Sequence, residues 1–472
     1  CALPISNLQE IDDPTTFDDL SSKSKSQEKK VGADGLPSSG LNPVEESSDK
    51  SYNSNKGEEE EEASEERTMT SFGAVVSLLN GLIGAGILGV PNAFSNSGIV
   101  ISIILLLLMA VLSLIAGDLV LFLAGKTKCR SFGQLAETYM GTPGALSLSI
   151  LNLLFLISAM TAYLILAGDS LISWFSLGGI NMEKPNWRRI VLVLVYSLAL
   201  PIALTIPKNL SFISYIATVT MFCVLYFVVT MVIKSIRYMV QNHGINPTVV
   251  YCKVDMKLFS AISIFGLSFA LPAVILPPLE HFDKNIKRRM NVAGIAILLT
   301  FLMVSIPGVF SYLQFGSSAN GNILKSFADN DIVALISRIG FFLVVTCAYI
   351  VVGESSISSW SQLIFKEGVA NNLPNFKRGI VLFLTNVIPL AIAMFLPSAK
   401  PALSIGGAVG GSLVDFCYPT ILYVLYYKGK RKLTHYKMIL CIIFAIFGLV
   451  AGVIATYQSV VDAIDADRKS VV

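Results

Sequence analysis

The sequence predicts an all-helical integral membrane protein with about eleven transmembrane helices. Of its 472 residues, 53% are hydrophobic and 14% are charged, whereas soluble domains carry roughly a quarter charged residues. The apolar residues occur in blocks of about twenty, the length that a helix needs to cross a hydrocarbon layer about 30 Å thick. Two blocks, the first and the sixth, are interrupted by glycine and proline. Matching interruptions in the two halves of a chain indicate an inverted internal repeat.

Composition divides the chain into three regions. Residues 1–69 are rich in Ser, Asp, Glu and Lys and include the unbroken acidic run from Glu58 to Glu62. Such a segment cannot bury enough apolar surface to fold. We therefore expect a disordered acidic tail in the cytosol, which could bind regulators. A membrane domain at 70–458 and a short polar C-terminal tail at 459–472 follow it.

Eleven apolar blocks follow Met69, and we call them the first to the eleventh spans. They cover residues 71–97, 99–124, 145–176, 188–206, 211–238, 257–279, 290–315, 331–364, 378–397, 402–427 and 434–458. The third and eighth blocks are longer than a helix perpendicular to the membrane needs to be, so these helices are expected to tilt. Lys and Arg are concentrated in the connections after the sixth and tenth spans. Because cytosolic loops are enriched in these residues, the N-terminus is predicted to face the cytosol.

Charge and cysteine usage exclude several classes of protein. The net charge of +3 averages the acidic tail and a mildly basic body, and no clustered basic patch predicts a nucleic-acid partner. The seven cysteines are scattered and show neither metal-ligand spacing nor a disulfide framework. We expect no metal and no organic cofactor.

The two interrupted spans predict a binding site. Asn80 to Pro91 holds four glycines and a proline, and Phe265 to Pro272 is followed by the pair Pro277-Pro278. Glycine and proline mark places where a helix can open. Open backbone survives at membrane depth only when it is buried in protein or lines a wet cavity. Its N–H groups can hold a carboxylate and its carbonyls an ammonium or a cation, which suits an amino acid zwitterion. The alternative is that these residues serve close helix packing or kinks.

Two stretches carry a family resemblance. The segments from Asn80 to Pro91 and from Pro272 to Glu280 resemble the amino acid/auxin permease family, which includes sodium-coupled neutral amino acid transporters and vacuolar amino acid transporters. The resemblance implies a LeuT-type fold, with ten helices in two inverted halves of five plus one, that carries amino acids by alternating access. A monomeric symporter or antiporter in a vacuolar, lysosomal or plasma membrane is therefore expected, with an amino acid as substrate and lipid around it.

The resemblance also implies the site. In it, Gly84, Ala85 and Gly86 supply backbone donors to the substrate carboxylate, and Asn80 matches an ion-binding position. Thr346 is the best match to the ion ligand of the eighth span, with Ser355 as the second choice. Leu271 and Glu354 depart from the sodium-coupled pattern, so coupling to Na⁺ or to H⁺ stays open. The full set predicted to contact substrate is Gly84, Ala85, Gly86, Ile87, Tyr163, Gly266, Ser268 and Phe269.

Two aromatic residues and four carboxylates in apolar runs are further candidates. Tyr163 and Phe269 could cover the substrate from either side, although aromatic residues in membrane helices usually pack. A charge at mid-membrane costs at least about 2.5 kcal/mol, and a carboxylate in a partly dry cavity can bind and release a proton. Of the four, Glu354 and Asp415 are the candidate proton sites and Asp118 and Asp169 are expected near the headgroups. The alternative for each is a carboxylate satisfied by a neighbouring group.

Two other functions compete with transport. An intramembrane aspartyl protease is suggested by Asp118 and Asp169, each preceded by Ala-Gly, but that family has a glycine three residues before one aspartate, where this chain has Ile115 and Leu166. No catalytic residue is therefore predicted. The second alternative is an amino acid sensor that binds at the same broken helices without moving its ligand.

Overall fold

The structure of the protein, a computed structural model, describes residues 69–127, 129, 131–180, 187–208, 212–279, 282–367, 372–396, 398–430 and 435–471. Within these ranges the regular elements are helices and no strand occurs, which confirms the predicted all-helical class. The acidic tail predicted at 1–69 lies outside them except for Met69. In chain order the helices are α1 (Ser71–Leu82), α2 (Gly86–Ser97), α3 (Ile99–Thr127), α4 (Phe132–Leu177), α5 (Trp187–Thr205), α6 (Phe212–Gln241), α7 (Lys257–Ser268), α8 (Leu271–Val274), α9 (Ile286–Phe315), α10 (Ile332–Phe365), α11 (Asn375–Phe395), α12 (Ala399–Ala408), α13 (Tyr418–Lys430) and α14 (His435–Val471).

The number of spans agrees with the sequence. Ten described helices, with α7–α8 and α12–α13 each taken as one, are long and apolar enough to cross a membrane, and the bent pair α1–α2 brings the total to eleven. On α3 the exposed side chains of Ile104, Leu107, Val111 and Ile115 recur every three or four residues. That spacing places them on one face of the helix, where lipid would cover them.

The first and sixth spans are broken where the glycines and prolines predict. α1 ends at Leu82 and α2 begins at Gly86, and the two half-helices are bent by 52°. α7 ends at Ser268, and the next two residues leave helical geometry, with ψ of 23° at Phe269 and 56° at Ala270. α8 then starts with a proline near its first position, where a missing N–H costs nothing. Both predicted interruptions are confirmed.

The third span is longer than predicted because a short helix precedes it. α4 covers 46 residues, but Gly141 inside it has φ 70° and ψ −173°. Only glycine adopts this conformation readily, so the chain turns sharply there and a proline two residues later begins the next helical stretch. The membrane-crossing part therefore starts just after Gly141.

The connection between α9 and α10 is anchored over the first span. Asn92 of α2 donates to the carbonyl of Ala319 at 2.7 Å. From the other side Arg338 of α10, which is 3% exposed, donates to the carbonyls of Leu324 at 3.0 Å and Phe327 at 2.8 Å. A buried guanidinium needs such acceptors, so this connection is fastened to both spans.

The last two spans add two features that the sequence did not indicate. Between α12 and α13 the tenth span is a π-helix over Val409–Cys417. This conformation is rare in proteins, and where it occurs it is often at a functional site. α14 continues to Val471, so the described part of the predicted C-terminal tail is helical.

The sixth and tenth spans approach backbone to backbone. A Cβ on Gly411 would lie 2.6 Å from the Cα of Gly266, and a Cβ on Gly407 would lie 2.6 Å from the carbonyl carbon of Ser263. Small residues at such crossings let helices pack closely in a membrane. This packing holds α7 in place just before the break.

Replacing Gly411 with Ala should therefore destabilise the protein by about 1–3 kcal/mol, the usual cost of overpacking. The measurement is the melting temperature of the detergent-purified protein. Gly294→Ala is the matched control, because nothing lies within 4 Å of a Cβ on this α9 glycine. Equal melting temperatures for the two variants would contradict the packing described here.

Candidate functional site

The two breaks lie side by side. A Cβ on Gly86, the first residue of α2, would lie 2.5 Å from Ser268 Oγ and 3.4 Å from Ser268 Cα, at the last residue of α7. The first N–H groups of a helix and its last carbonyls have no partner within the helix. The positive end of α2 therefore adjoins the negative end of α7, and opposite partial charges meet at one point inside the membrane domain.

Tyr163 of the third span reaches the first break. A Cβ on Gly84 would lie 2.6 Å from both Cε1 and Cζ of the Tyr163 ring, which is 5% exposed. Only a glycine leaves room for the ring, so the two residues that the sequence singled out separately are neighbours.

Ser113 of α3 holds the sixth break open, and the sequence reasoning missed it. Its hydroxyl donates to the carbonyl of Phe269 and accepts from the N–H of Leu271 at 3.4 Å. An opened backbone at membrane depth must find partners inside the protein, and this one hydroxyl serves both sides of the break. A serine within a long apolar run was the available signal, but sequence does not tell which groups it faces.

The remaining substrate candidates lie within three residues of one of the two breaks in sequence. Ala85 and Ile87 are each 1% exposed, as is Phe269. Gly266 lies against the backbone of the tenth span rather than beside the first, so the packing explanation accounts for that glycine. Direct contact of any of these residues with substrate stays a prediction.

Asn80 is fixed by a residue of the fifth span. Its Oδ1 accepts from Thr220 Oγ1 at 2.6 Å, and its Nδ2 donates to the carbonyl of Val76 at 3.0 Å. The side chain is 3% exposed. Thr220 was not singled out in the sequence, since a threonine in a membrane helix usually bonds to its own backbone.

The two eighth-span candidates lie far apart. Thr346 shares a hydrogen bond of 2.7 Å with Tyr196 of α5 and donates to the carbonyl of Phe342 at 2.6 Å. Ser355 is 4% exposed, and its Oγ has no hydrogen-bond partner among the described residues. Nine residues of helix separate the two by about 13 Å along the axis, so one ion cannot contact both.

The two candidate proton sites differ in environment. Asp415 lies in the π-helix of the tenth span and is 1% exposed. Its carboxylate is near the backbone N–H of Ala273, but neither oxygen makes a hydrogen bond of ordinary geometry within the described part of the chain. Glu354 of α10 is only partly buried. A protonated carboxyl fits the surroundings of Asp415 better than a bare charge does.

The other two carboxylates also differ from each other. Asp169 is 5% exposed and forms an ion pair of 2.8 Å with Lys325 in the α9–α10 connection, where Asn322 also donates to it at 3.4 Å. Asp118 is partly buried. No group of three or more His, Cys, Asp or Glu residues that could hold a metal ion occurs within the described residues.

Comparison with known proteins identifies a family and a relative of this chain. A family model described as "Transmembrane amino acid transporter protein" matches residues 67–461. A relative from Danio rerio, the sodium-coupled neutral amino acid symporter 2, is 26% identical over 422 residues, which cover 83% of this chain and 82% of the relative. Both names are those of transporters and not of enzymes.

Ser113→Ala should destabilise the folded protein by about 0.5–1.5 kcal/mol, because the buried carbonyl of Phe269 would lose one of its two donors and keep only the N–H of Leu271 at 2.7 Å. Ser305→Ala is the control, since Ser305 donates only to Phe301 in its own helix. The melting temperatures of both variants in detergent test this. A fall in melting temperature for Ser305→Ala as large as that for Ser113→Ala would contradict the role assigned to Ser113.

Proposed function

This chain belongs to the family of transmembrane amino acid transporter proteins, and on that basis we propose that it is a secondary active transporter for neutral amino acids. The observation that carries the proposal is the meeting of α2 and α7 at Gly86 and Ser268. A zwitterion has one group for each end: the carboxylate for the N–H groups of α2 and the ammonium for the carbonyls of α7.

Neutral side chains on the substrate follow from the residues at the breaks. Tyr163 lies against Gly84 and Ser268 lies against Gly86, Ile87 and Phe269 are their buried neighbours in sequence, and none of these residues carries a charge. A cationic or anionic substrate side chain would lack a partner there, and an unpaired buried charge is costly. The relative from Danio rerio is also named for neutral amino acids.

Coupling to a cation gradient, of Na⁺ or of H⁺, completes the proposal. Asn80 and Thr346 are each held by a hydroxyl from another span, an arrangement that orients oxygen atoms for Na⁺. Asp415 supports H⁺, since its buried carboxyl has no ion partner at less than 4 Å among the described residues. Glu354 and Ser355 are the further candidates that the sequence raised.

Transport would occur by alternating access of the site at the breaks, with the N-terminus in the cytosol because Lys and Arg are concentrated on that side. We propose a monomer in a vacuolar, lysosomal or plasma membrane, with lipid around the spans and an acidic tail available to regulators.

The direct test is uptake of single amino acids into proteoliposomes under separate sodium and pH gradients. Uptake of small neutral amino acids, accelerated by one of the two gradients and reduced when the gradient is dissipated, is expected. Saturable counterflow of labelled substrate identifies a carrier. Binding without counterflow would instead identify the sensor alternative and contradict transport.

Gly84→Ala should reduce uptake at least about tenfold, which corresponds to about 1.4 kcal/mol, because a methyl group would occupy space between Tyr163 and the open backbone. Gly379→Ala is the control, since nothing lies within 4 Å of a Cβ at this position on α11. Melting temperatures establish that both variants fold. Undiminished uptake by a folded Gly84→Ala variant would contradict the proposed place of the carboxylate.

A further inference from the structure

Three helix ends with basic side chains meet on one side of the membrane domain. α3 carries Lys126 in its last turn, α13 carries Lys428 in its last turn, and α9 begins at Ile286 with Lys287 and Arg288 next to it. The four basic side chains are exposed. We call them the inner basic surface, because the second span returns to the side from which the chain enters the first.

Aromatic contacts hold the ends of α3 and α13 side by side. The ring of Phe122 lies 5.8 Å from that of Tyr426 at an angle of 84°, and Tyr139 of α4 packs on Tyr426 at 5.8 Å and 88°. Lys126 is four residues beyond Phe122 and Lys428 is two residues beyond Tyr426, which is about 6 Å and about 3 Å along the two helices. The two lysines therefore lie at a similar depth, just beyond the rings.

The start of α9 lies against the same end of α3. A Cβ on Gly125 would lie 2.6 Å from Ile286 Cδ1. Gly125 directly precedes Lys126, and Ile286 directly precedes Lys287. The end of α3 is thus in contact with both α9 and α13, and the second, seventh and tenth spans bring their cations to one region.

The charges of this region are only partly balanced within the protein. Asp283 pairs with Arg288 at 2.6 Å, but neither Lys287 nor Lys428 makes an ion pair with another described residue. Lys287 and Arg288 also lie in the first turn of α9, which contains no acidic residue. The N-terminus of a helix carries partial positive charge and disfavours cations, so an external anion would stabilise this arrangement.

The position of the surface indicates which anion it meets. The cations stand at the ends of membrane-spanning helices and close to tyrosine rings, and tyrosine is enriched at the depth of the lipid headgroups. Further basic residues follow the same helix ends in the sequence: Lys128, Arg130, Lys430, Arg431 and Lys432. Clusters of roughly four to eight Lys and Arg residues on the cytoplasmic side of spanning helices recognise anionic lipid headgroups.

We propose that the inner basic surface binds the headgroups of anionic phospholipids in the cytosolic leaflet. The bound lipid connects the ends of the second, seventh and tenth spans to one another. This inference is independent of the substrate that the protein carries, because lipid binding can be measured without transport.

The test variant combines Lys287→Gln with Lys428→Gln, which removes one cation on each side of α3. The matched control combines Lys253→Gln with Lys257→Gln, which removes two charges at the beginning of α7, on the opposite side of the membrane domain. The measurement is the melting temperature of the full-length protein in nanodiscs of phosphatidylcholine in which phosphatidylserine replaces an increasing fraction of the lipid. Both faces of a nanodisc carry the same lipid, so the control lysines also meet phosphatidylserine.

We expect phosphatidylserine to raise the melting temperature of the wild type and of the control variant. One lysine near an anionic membrane surface contributes about a fivefold change in affinity. Loss of two lysines should therefore weaken the binding of phosphatidylserine by about 25-fold, and the test variant should lose most of the rise. In phosphatidylcholine alone its melting temperature should equal that of the wild type, which shows that it folds.

Four results would overturn the proposal. Phosphatidylserine could fail to stabilise the wild type, or it could stabilise the test and control variants equally. Equal stabilisation by inorganic phosphate in phosphatidylcholine nanodiscs would identify a site for free anions instead of lipid. A test variant that is less stable than the wild type already in phosphatidylcholine, with no effect of phosphatidylserine on either, would favour the chain's own acidic run from Glu58 to Glu62 as the partner of this surface.

Discussion

Open backbone inside a membrane must find its hydrogen-bond partners in the protein, and the arrangement of this molecule follows from that constraint. Both breaks are enclosed by side chains from other spans. Ser113 bridges the two sides of the sixth-span break, and Tyr163 covers the glycine at the first. The N–H groups left over at the start of α2 and the carbonyls left over at the end of α7 are those that can be offered to a ligand.

The neighbouring spans hold the two breaks in place. Glycines of the tenth span allow its backbone to touch that of α7 just before the break, and the π-helix that follows carries Asp415 to the vicinity of Ala273 in α8. A movement of α8 would therefore be felt by the buried carboxyl of Asp415.

Much of the fold could be predicted from the sequence because the signals are local. Apolar blocks give the spans, and glycine with proline gives the breaks, since hydropathy and backbone freedom belong to single residues. The partners of the site could not be predicted. Ser113, Thr220 and Tyr196 are ordinary residues in apolar helices, and their importance arises from contacts with residues more than a hundred positions away.

The central claim is that an amino acid binds where α2 meets α7, and a structure of the protein determined with a neutral amino acid bound tests it most directly. The account predicts the carboxylate against the N–H groups of residues 84–86 and the ammonium against the carbonyls at the end of α7. Substrate density elsewhere in the bundle, or continuous helix through Ala85, would contradict it.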